Sequence, residues 1–180
     1  MRRYLVIAAL TGLACVPGLA FSDGFLSLYA DPGFTQCTLS DTTPRTVNIY
    51  LVELPISGAT GIRVRIAADP GFTGVWLDDA SPFATVGDSQ TDFSAGFGTC
   101  ENNRFLVLTM TYQLFGTSTC IQLSIAAVSG FIYPICTDCS FGQDNCSGVY
   151  PLHINCDGSF GCSPLAVESA TWGAVKALYR

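Results

Sequence analysis

Ile62-Arg63-Val64-Arg65-Ile66 alternates apolar and charged residues with a period of two. That period is the signature of a strand with one face on a core and one in water, so Ile62, Val64 and Ile66 should be buried and both arginines should face solvent. The same alternation recurs on either side. Val47, Ile49 and Leu51 alternate with Asn48 and Tyr50, and Ile121, Leu123 and Ile125 with Gln122 and Ser124. Leu106, Leu108, Met110 and Tyr112 should line one face of a further strand, with Phe105, Val107, Thr109 and Thr111 on the other. Shorter candidates lie at 25–30, 73–77, 93–97, 131–135 and 149–155. Pro134 and Pro151 cannot donate to a ladder, which predicts edge positions for the last two.

Turn chemistry separates these runs, notably Asp31-Pro32-Gly33, Ser57-Gly58, Asp69-Pro70-Gly71, Gly87-Asp88 and Asp157-Gly158. No long helical period appears between Phe25 and Asn155. The expectation is an all-β chain, a β-sandwich or jelly roll of about nine short strands. One hexapeptide, Ala-Asp-Pro-Gly-Phe-Thr, occurs at both 30–35 and 68–73. The flanks differ, so it reads as two similar turns, with Pro setting φ, Gly supplying positive φ and a core Phe after each.

The ends read differently. Arg2 and Arg3 precede an apolar run from Tyr4 to Ala14, Pro17 breaks it, and Gly18-Leu19-Ala20 places small residues for cleavage before Phe21. Residues 1–20 are therefore expected to be a signal peptide, 21–162 the β-sandwich domain, and 163–180 a linker and helical tail. Leu13-Ala14-Cys15 resembles the end of a lipoprotein box, but Gly12 stands where that box wants Leu. The apolar run is too short to span a bilayer. Leader removal takes two of the eight basic residues and none of the fourteen acidic ones, leaving a charge of −8. Such a surface disfavours nucleic acid and anionic membranes.

Cys15 leaves with the leader, and eight cysteines remain: Cys37, Cys100, Cys120, Cys136, Cys139, Cys146, Cys156 and Cys162. An even count in an exported chain predicts four disulfides. The expected pairing joins Cys37 to Cys100, Cys120 to the 136–146 cluster, and Cys156 to Cys162. The location follows as secreted, cell-surface or periplasmic.

Candidate chemistry is sparse. His153 is the only histidine, and a Ser-His-Asp site would need it with Asp157 or Asp138. It stands between Leu152 and Ile154, which predicts a solvent-facing strand residue, and no Gly-x-Ser-x-Gly elbow exists. Cys136 and Cys139 have zinc-knuckle spacing but lack a second close pair. Asp78, Asp79, Asp88 and Asp92 read as solvated loop carboxylates without calcium-loop spacing. No catalytic residue, metal or cofactor is expected. Trp76 beside Asp78 and Asp79 is the first place to look for a ligand, since an exposed indole could stack on a sugar ring.

The tail 171–180 carries a Thr N-cap, with Trp172, Val175 and Tyr179 at helical spacing and Lys176 and Arg180 toward its end. Trp172, Lys176 and Tyr179 are candidates for recognition by export or attachment machinery. The run from Phe25 through Gly58-Ala59-Thr60-Gly61-Ile62 and Phe72-Thr73-Gly74-Val75-Trp76-Leu77 to this Thr-Trp-Gly-x-Val-Lys-x-Leu-Tyr-Arg ending resembles a group of uncharacterised exported bacterial proteins. The strand pattern is more weakly similar to cohesin-like jelly-roll modules, which implies a binding fold with a protein or glycan partner. The reading is a secreted non-enzymatic binding or structural module. A carbohydrate-binding module and a hydrolase using loop carboxylates are the alternatives.

Overall fold

The computed structural model describes residues 24–146, 148–157, 160 and 162. Thirteen strands form two sheets, and there is no helix among the described residues. The strands are β1 (Gly24–Tyr29), β2 (Thr38–Leu39), β3 (Pro44–Pro55), β4 (Ala59–Ala68), β5 (Val75–Ala80), β6 (Ala84–Val86), β7 (Phe93–Glu101), β8 (Phe105–Phe115), β9 (Ile121–Ala126), β10 (Ile135–Thr137), β11 (Gln143–Asn145), β12 (Gly148–Tyr150) and β13 (Leu152–Ile154). The smaller sheet runs β12-β1-β3-β8-β5. The larger runs β11-β10-β4-β9-β13-β2, with β7 also on β4 and β6 on β7. The expected sandwich is present with thirteen strands rather than nine, because six of them are two- or three-residue segments too short to show a period. The predicted tail helix, with Trp172, Lys176 and Tyr179, lies outside the described residues, as does the predicted leader.

The core forms between the sheets where the alternation places it. Ile62, Val64 and Ile66 of β4 are buried, as are Ile49 and Leu51 of β3 and Ile121, Leu123 and Ile125 of β9. Arg63 and Arg65 point away from it and are half-buried. Val64→Ala should therefore cost about 2 kcal/mol in chemical denaturation, whereas Arg63→Ala should cost less than about 1. Equal losses at the two positions would contradict this register.

On β8 the alternation breaks. The pairing with β3 shifts between Leu51 and Val52, so Leu108 stands opposite Leu51 but Leu106 opposite Val52, and Phe105 opposite Glu53. The bulge at Val107 turns Phe105 inward, against Phe97 and Phe83 with ring centroids 4.8 and 5.6 Å away. One extra residue reverses parity, which no pattern of apolar residues announces.

Three further expectations are corrected. The 149–155 segment is two strands, split at Pro151 between the two sheets. β12 is an edge, but β13 lies between β9 and β2. His153 is consequently buried, at 8% exposure, not solvent-facing. Its ring stacks on Phe160 at 3.7 Å, and burial lowers its pKa. In the first Asp-Pro-Gly-Phe turn the left-handed residue is Phe34 (φ 56°), not Gly33; in the second it is Gly71 (φ 103°). The Asp31 carboxylate makes the difference by accepting the N–H groups of Gly33, Thr35 and Gln36. Phe34 packs on Tyr29 and Tyr50 rather than in the core.

All eight cysteines pair, but not as expected. The disulfides are Cys37–Cys162, Cys100–Cys139, Cys120–Cys156 and Cys136–Cys146. The physical reason is the parallel β2–β13 pair, which returns the last described strand beside Cys37. Cys162 is thereby delivered to Cys37 across 125 residues. The 136–139 spacing is shared between two bonds, since Cys136 closes the β10–β11 hairpin and Cys139 ties its turn to the end of β7. Four disulfides are typical of oxidising compartments. No helix among the described residues is long and apolar enough to cross a membrane.

Candidate functional site

The outward face of the larger sheet carries a groove of about 440 Å³, lined by both apolar and polar residues. Its floor is nearly bare. Gly61 of β4 stands opposite Gly96 of β7, and a Cβ on Gly61 would lie 2.8 Å from the Ala95 carbonyl oxygen. At Gly96 an added Cβ would meet nothing within 4 Å, so the sheet backbone lies open there, while Gly61 is buried beside it. Val86 of β6 forms one wall at 77% exposure, and Phe131 and Phe141 form the other at 42% and 78%. Ile132 and Tyr133 continue from Phe131 and are also exposed. Scattered exposed apolar residues are ordinary, but three lining one groove, with two more following Phe131 in the chain, are the kind of patch that marks an interaction site.

The position of Phe141 is enforced. Its φ of 64° is the left-handed region, where a bulky side chain costs of order 1–3 kcal/mol. The Asp138 carboxylate holds the turn by accepting the N–H groups of Ser140 and Gly142, each at 2.7 Å. The backbone closes it with Asp138 N–H to the Gly142 carbonyl at 2.9 Å. Thr60 Oγ1 donates to the Asp138 carbonyl at 2.7 Å, and Cys139 is bonded to Cys100. The loop is thus anchored to β4 and β7 while displaying a phenyl ring to water. On the same wall, Phe131 is backed by a charged pair. Arg63 donates through Nε and Nη2 to the two oxygens of Asp92, and its guanidinium lies 5.2 Å from the Phe131 ring centre. The hydrogen bond and charge of Arg63 hold the Asp92 carboxyl below its usual range.

The residues singled out from sequence lie elsewhere, on edge strand β5 of the smaller sheet. Trp76 Nε1 donates to Asp79 Oδ1 at 2.9 Å, and the Asp79 carboxylate also accepts Ser89 N–H and Ser89 Oγ. Trp76 and Asp79 are brought together and tie β5 to the 87–92 loop. Asp78 lies beyond a bulge and is exposed. Among the described residues no cluster of three or more His, Cys, Asp or Glu could hold a metal ion.

Sequence reading missed the groove because it assigned aromatic residues to the core by strand parity. Phe131, expected in a strand at 131–135 that in fact begins only at Ile135, and Phe141 have no parity, since both sit in turns. Their signal was available: Phe141 stands in Asp-Cys-Ser-Phe-Gly-Gln-Asp, a polar turn with nothing to bury it.

No family model and no curated protein matches the sequence. The fold is that of cohesin-like jelly-roll modules, and solved structures define the likeness. The sixth cohesin of scaffoldin B from Acetivibrio cellulolyticus aligns with a TM-score of 0.52 at 10% identity, over 76% of this chain and all of its own. A cohesin module from a family 33 glycoside hydrolase of Clostridium perfringens gives 0.53 at 6% identity, over 74% and 98%. The CaCohA2 module of Clostridium acetobutylicum gives 0.50 at 13% identity, over 79% and 96%.

Proposed function

We propose that this chain is an exported, non-enzymatic module that binds a protein partner through the groove walled by Val86, Phe131 and Phe141. The observation that carries the reading is Phe141, exposed in a strained conformation that a disulfide and a capping carboxylate impose. A fold that stores strain to display an apolar ring gains nothing for its own stability from doing so. Aliphatic side chains at Val86 and Ile132 favour a protein surface over a glycan, because sugar rings stack on aromatic faces and not on branched alkyl groups. The scaffoldin B cohesin with the same fold was solved in complex with a Cel5 dockerin, which supports a protein as the class of partner.

A photo-crosslinking residue in place of Ile132 tests this, with a second chain carrying it in place of exposed Leu77 on the opposite sheet. Exposed to the secreted fraction of the host, position 132 should form one dominant protein adduct that position 77 does not. Equal adducts at both positions, or retention on polysaccharide that survives Ile132→Asp, would overturn the assignment.

A further inference from the structure

The four disulfides differ in how a reductant would meet them. Thiol–disulfide exchange needs one sulfur within reach of an attacking thiolate and a place for negative charge on the sulfur that leaves. Cys37 and Cys136 are fully buried, so neither can be attacked, and releasing either as a thiolate would leave a charge in the core. Cys37 Sγ also faces the Phe160 carbonyl oxygen at 3.5 Å. Cys120 is exposed, but its partner Cys156 has the carbonyl oxygens of Ile154 and Ile121 at 3.4 and 3.6 Å from Sγ. Those oxygens repel a thiolate that arrives or forms there. Cys100–Cys139 meets neither obstacle. Cys100 is exposed at the end of β7, and Cys139 is half-buried in the 138–142 turn. Asn102 Nδ2 donates to the Cys100 carbonyl at 3.2 Å and reaches Cys100 Sγ at 3.6 Å. An amide donor in that place stabilises a thiolate on Cys100, which directs attack to Cys139 with Cys100 leaving. One flank of the bond is closed by backbone, since a Cβ on Gly58 would lie 2.4 Å from Cys139 Sγ and 2.8 Å from Cys100 Sγ. Approach is from the solvent side.

This bond is also the one that reaches the groove, because Phe141 follows Cys139 within the same turn. We propose that Cys100–Cys139 is a redox switch for the groove, holding the Phe141 wall in place when oxidised and releasing it when reduced. The inference rests on the proposed function, an exported module that binds through this groove. In the first step a thiolate of a dithiol reductant bonds to Cys139 Sγ, the S–S bond breaks, and Cys100 takes the electron pair as a thiolate. The reductant's second thiolate then bonds to its first sulfur, and Cys139 leaves as a thiolate. The dithiol ends as a disulfide, two electrons poorer, and its two protons pass to the cysteines.

Reduction at this bond stays local. Cys136–Cys146 still closes the β10–β11 hairpin, β10 still pairs with β4, and Thr60 Oγ1 still donates to the Asp138 carbonyl. What is freed is the turn beyond Asp138. There the left-handed Phe141 loses the covalent tether that opposes its relaxation, and the ring no longer has a fixed place on the wall. Cytosolic thiol pools keep such a bond open, and oxidising compartments close it. A chain awaiting export therefore carries an unfinished groove and captures no partner before it leaves.

The experiment titrates the folded, oxidised chain with dithiothreitol at neutral pH, without denaturant, and maps released thiols by alkylation and peptide mass. Cys100 and Cys139 should be alkylated at least tenfold faster than any other pair, and Asn102→Ala should slow their release at least threefold. In the chain opened at this one bond, the Ser140 and Gly142 amides, which donate to Asp138, should exchange hydrogen at least tenfold faster, with the β4 amides unchanged. Cys100→Ser with Cys139→Ser should reproduce that exchange under oxidising conditions, whereas Cys120→Ser with Cys156→Ser should not. The crosslink at position 132 to the secreted fraction should fall at least tenfold on reduction of Cys100–Cys139 and return on reoxidation. The switch is overturned if another pair opens first, if exchange at Ser140 and Gly142 ignores the state of this bond, or if the crosslink survives its reduction. Absence of the crosslink from the oxidised chain would fail the groove reading instead, with the alkylation order and the amide exchange still deciding the switch.

Discussion

Asp41→Ala is expected to cost the folded chain about 3 kcal/mol, seen as a fall in Tm of roughly 10 °C. Asp41 is 1% exposed and anchors a polar network at one end of the sandwich. Its carboxylate accepts the N–H of Gly116 at 2.7 Å and of Ser118 at 3.1 Å. Its own N–H donates to Asn155 Oδ1, and the Asn155 amide donates to the carbonyls of Asp41 and Ser118. Three segments distant in sequence are clamped at one end of the sandwich. Removing the carboxylate strands two backbone donors, the buried one of Ser118 and the part-buried one of Gly116, which is costlier than losing the bonds themselves. Asp41→Asn, which keeps an acceptor, should lose about half as much. Burial acts to raise the Asp41 pKa, but the Ser118 and Gly116 hydrogen bonds and the Arg45 charge outweigh it and leave the value lowered. Its contribution is therefore present above the unfolded value of about 3.9 and lost as pH falls through the folded one. Acid titration of wild type and Asp41→Ala should converge at low pH. Curves that stay parallel below pH 3 would contradict this.

Phe141→Gly is expected to weaken partner binding at least a hundredfold while leaving the fold as stable or more stable, by up to about 1 kcal/mol. Glycine enters the left-handed region freely, so the substitution relieves the backbone at the moment it removes the exposed ring. The two effects have opposite sign, which separates an interface residue from a structural one. Ile132→Asp should match the loss of affinity, because a charge buried against a partner without a counter-ion costs several kcal/mol. Titration calorimetry with the crosslinked partner, alongside denaturant melts, reads both quantities. A Phe141→Gly chain that binds normally would remove the groove from consideration.

How far residues foretold structure depended on the length of the element. β3, β4 and β9 were legible because each carries enough alternations for the period to stand above chance. β2, β6, β10 and β11 were not, since two or three residues carry no period, and their pairing is decided by the strands around them. Disulfide pairing was illegible for the same reason. Cys37 meets Cys162 only because two short parallel strands meet. The bulge at Val107 and the turn at Phe141 depend on single-residue backbone choices made by tertiary contacts. Glu53 was visible in the sequence as a charge within an apolar run, Leu51-Val52-Glu53-Leu54, yet its burial without a partner follows from tertiary structure, in which the four described arginines are engaged elsewhere.

The Cys37–Cys162 bond also decides how the domain would carry load. A pull entering through β1 and leaving beyond Cys162 bypasses the chain between the two cysteines, whose covalent link transmits it. Roughly 400 Å of contour length, 125 residues at about 3.3 Å each, is thereby hidden from extension. Force falls instead on the short stretch from Gly24 to Cys37, where β1 is hydrogen-bonded antiparallel to β3 and parallel to β12. Those ladders would be sheared together rather than unzipped one bond at a time. A tether built this way yields by releasing one strand and then stops, with the bulk of the sandwich and its groove still folded.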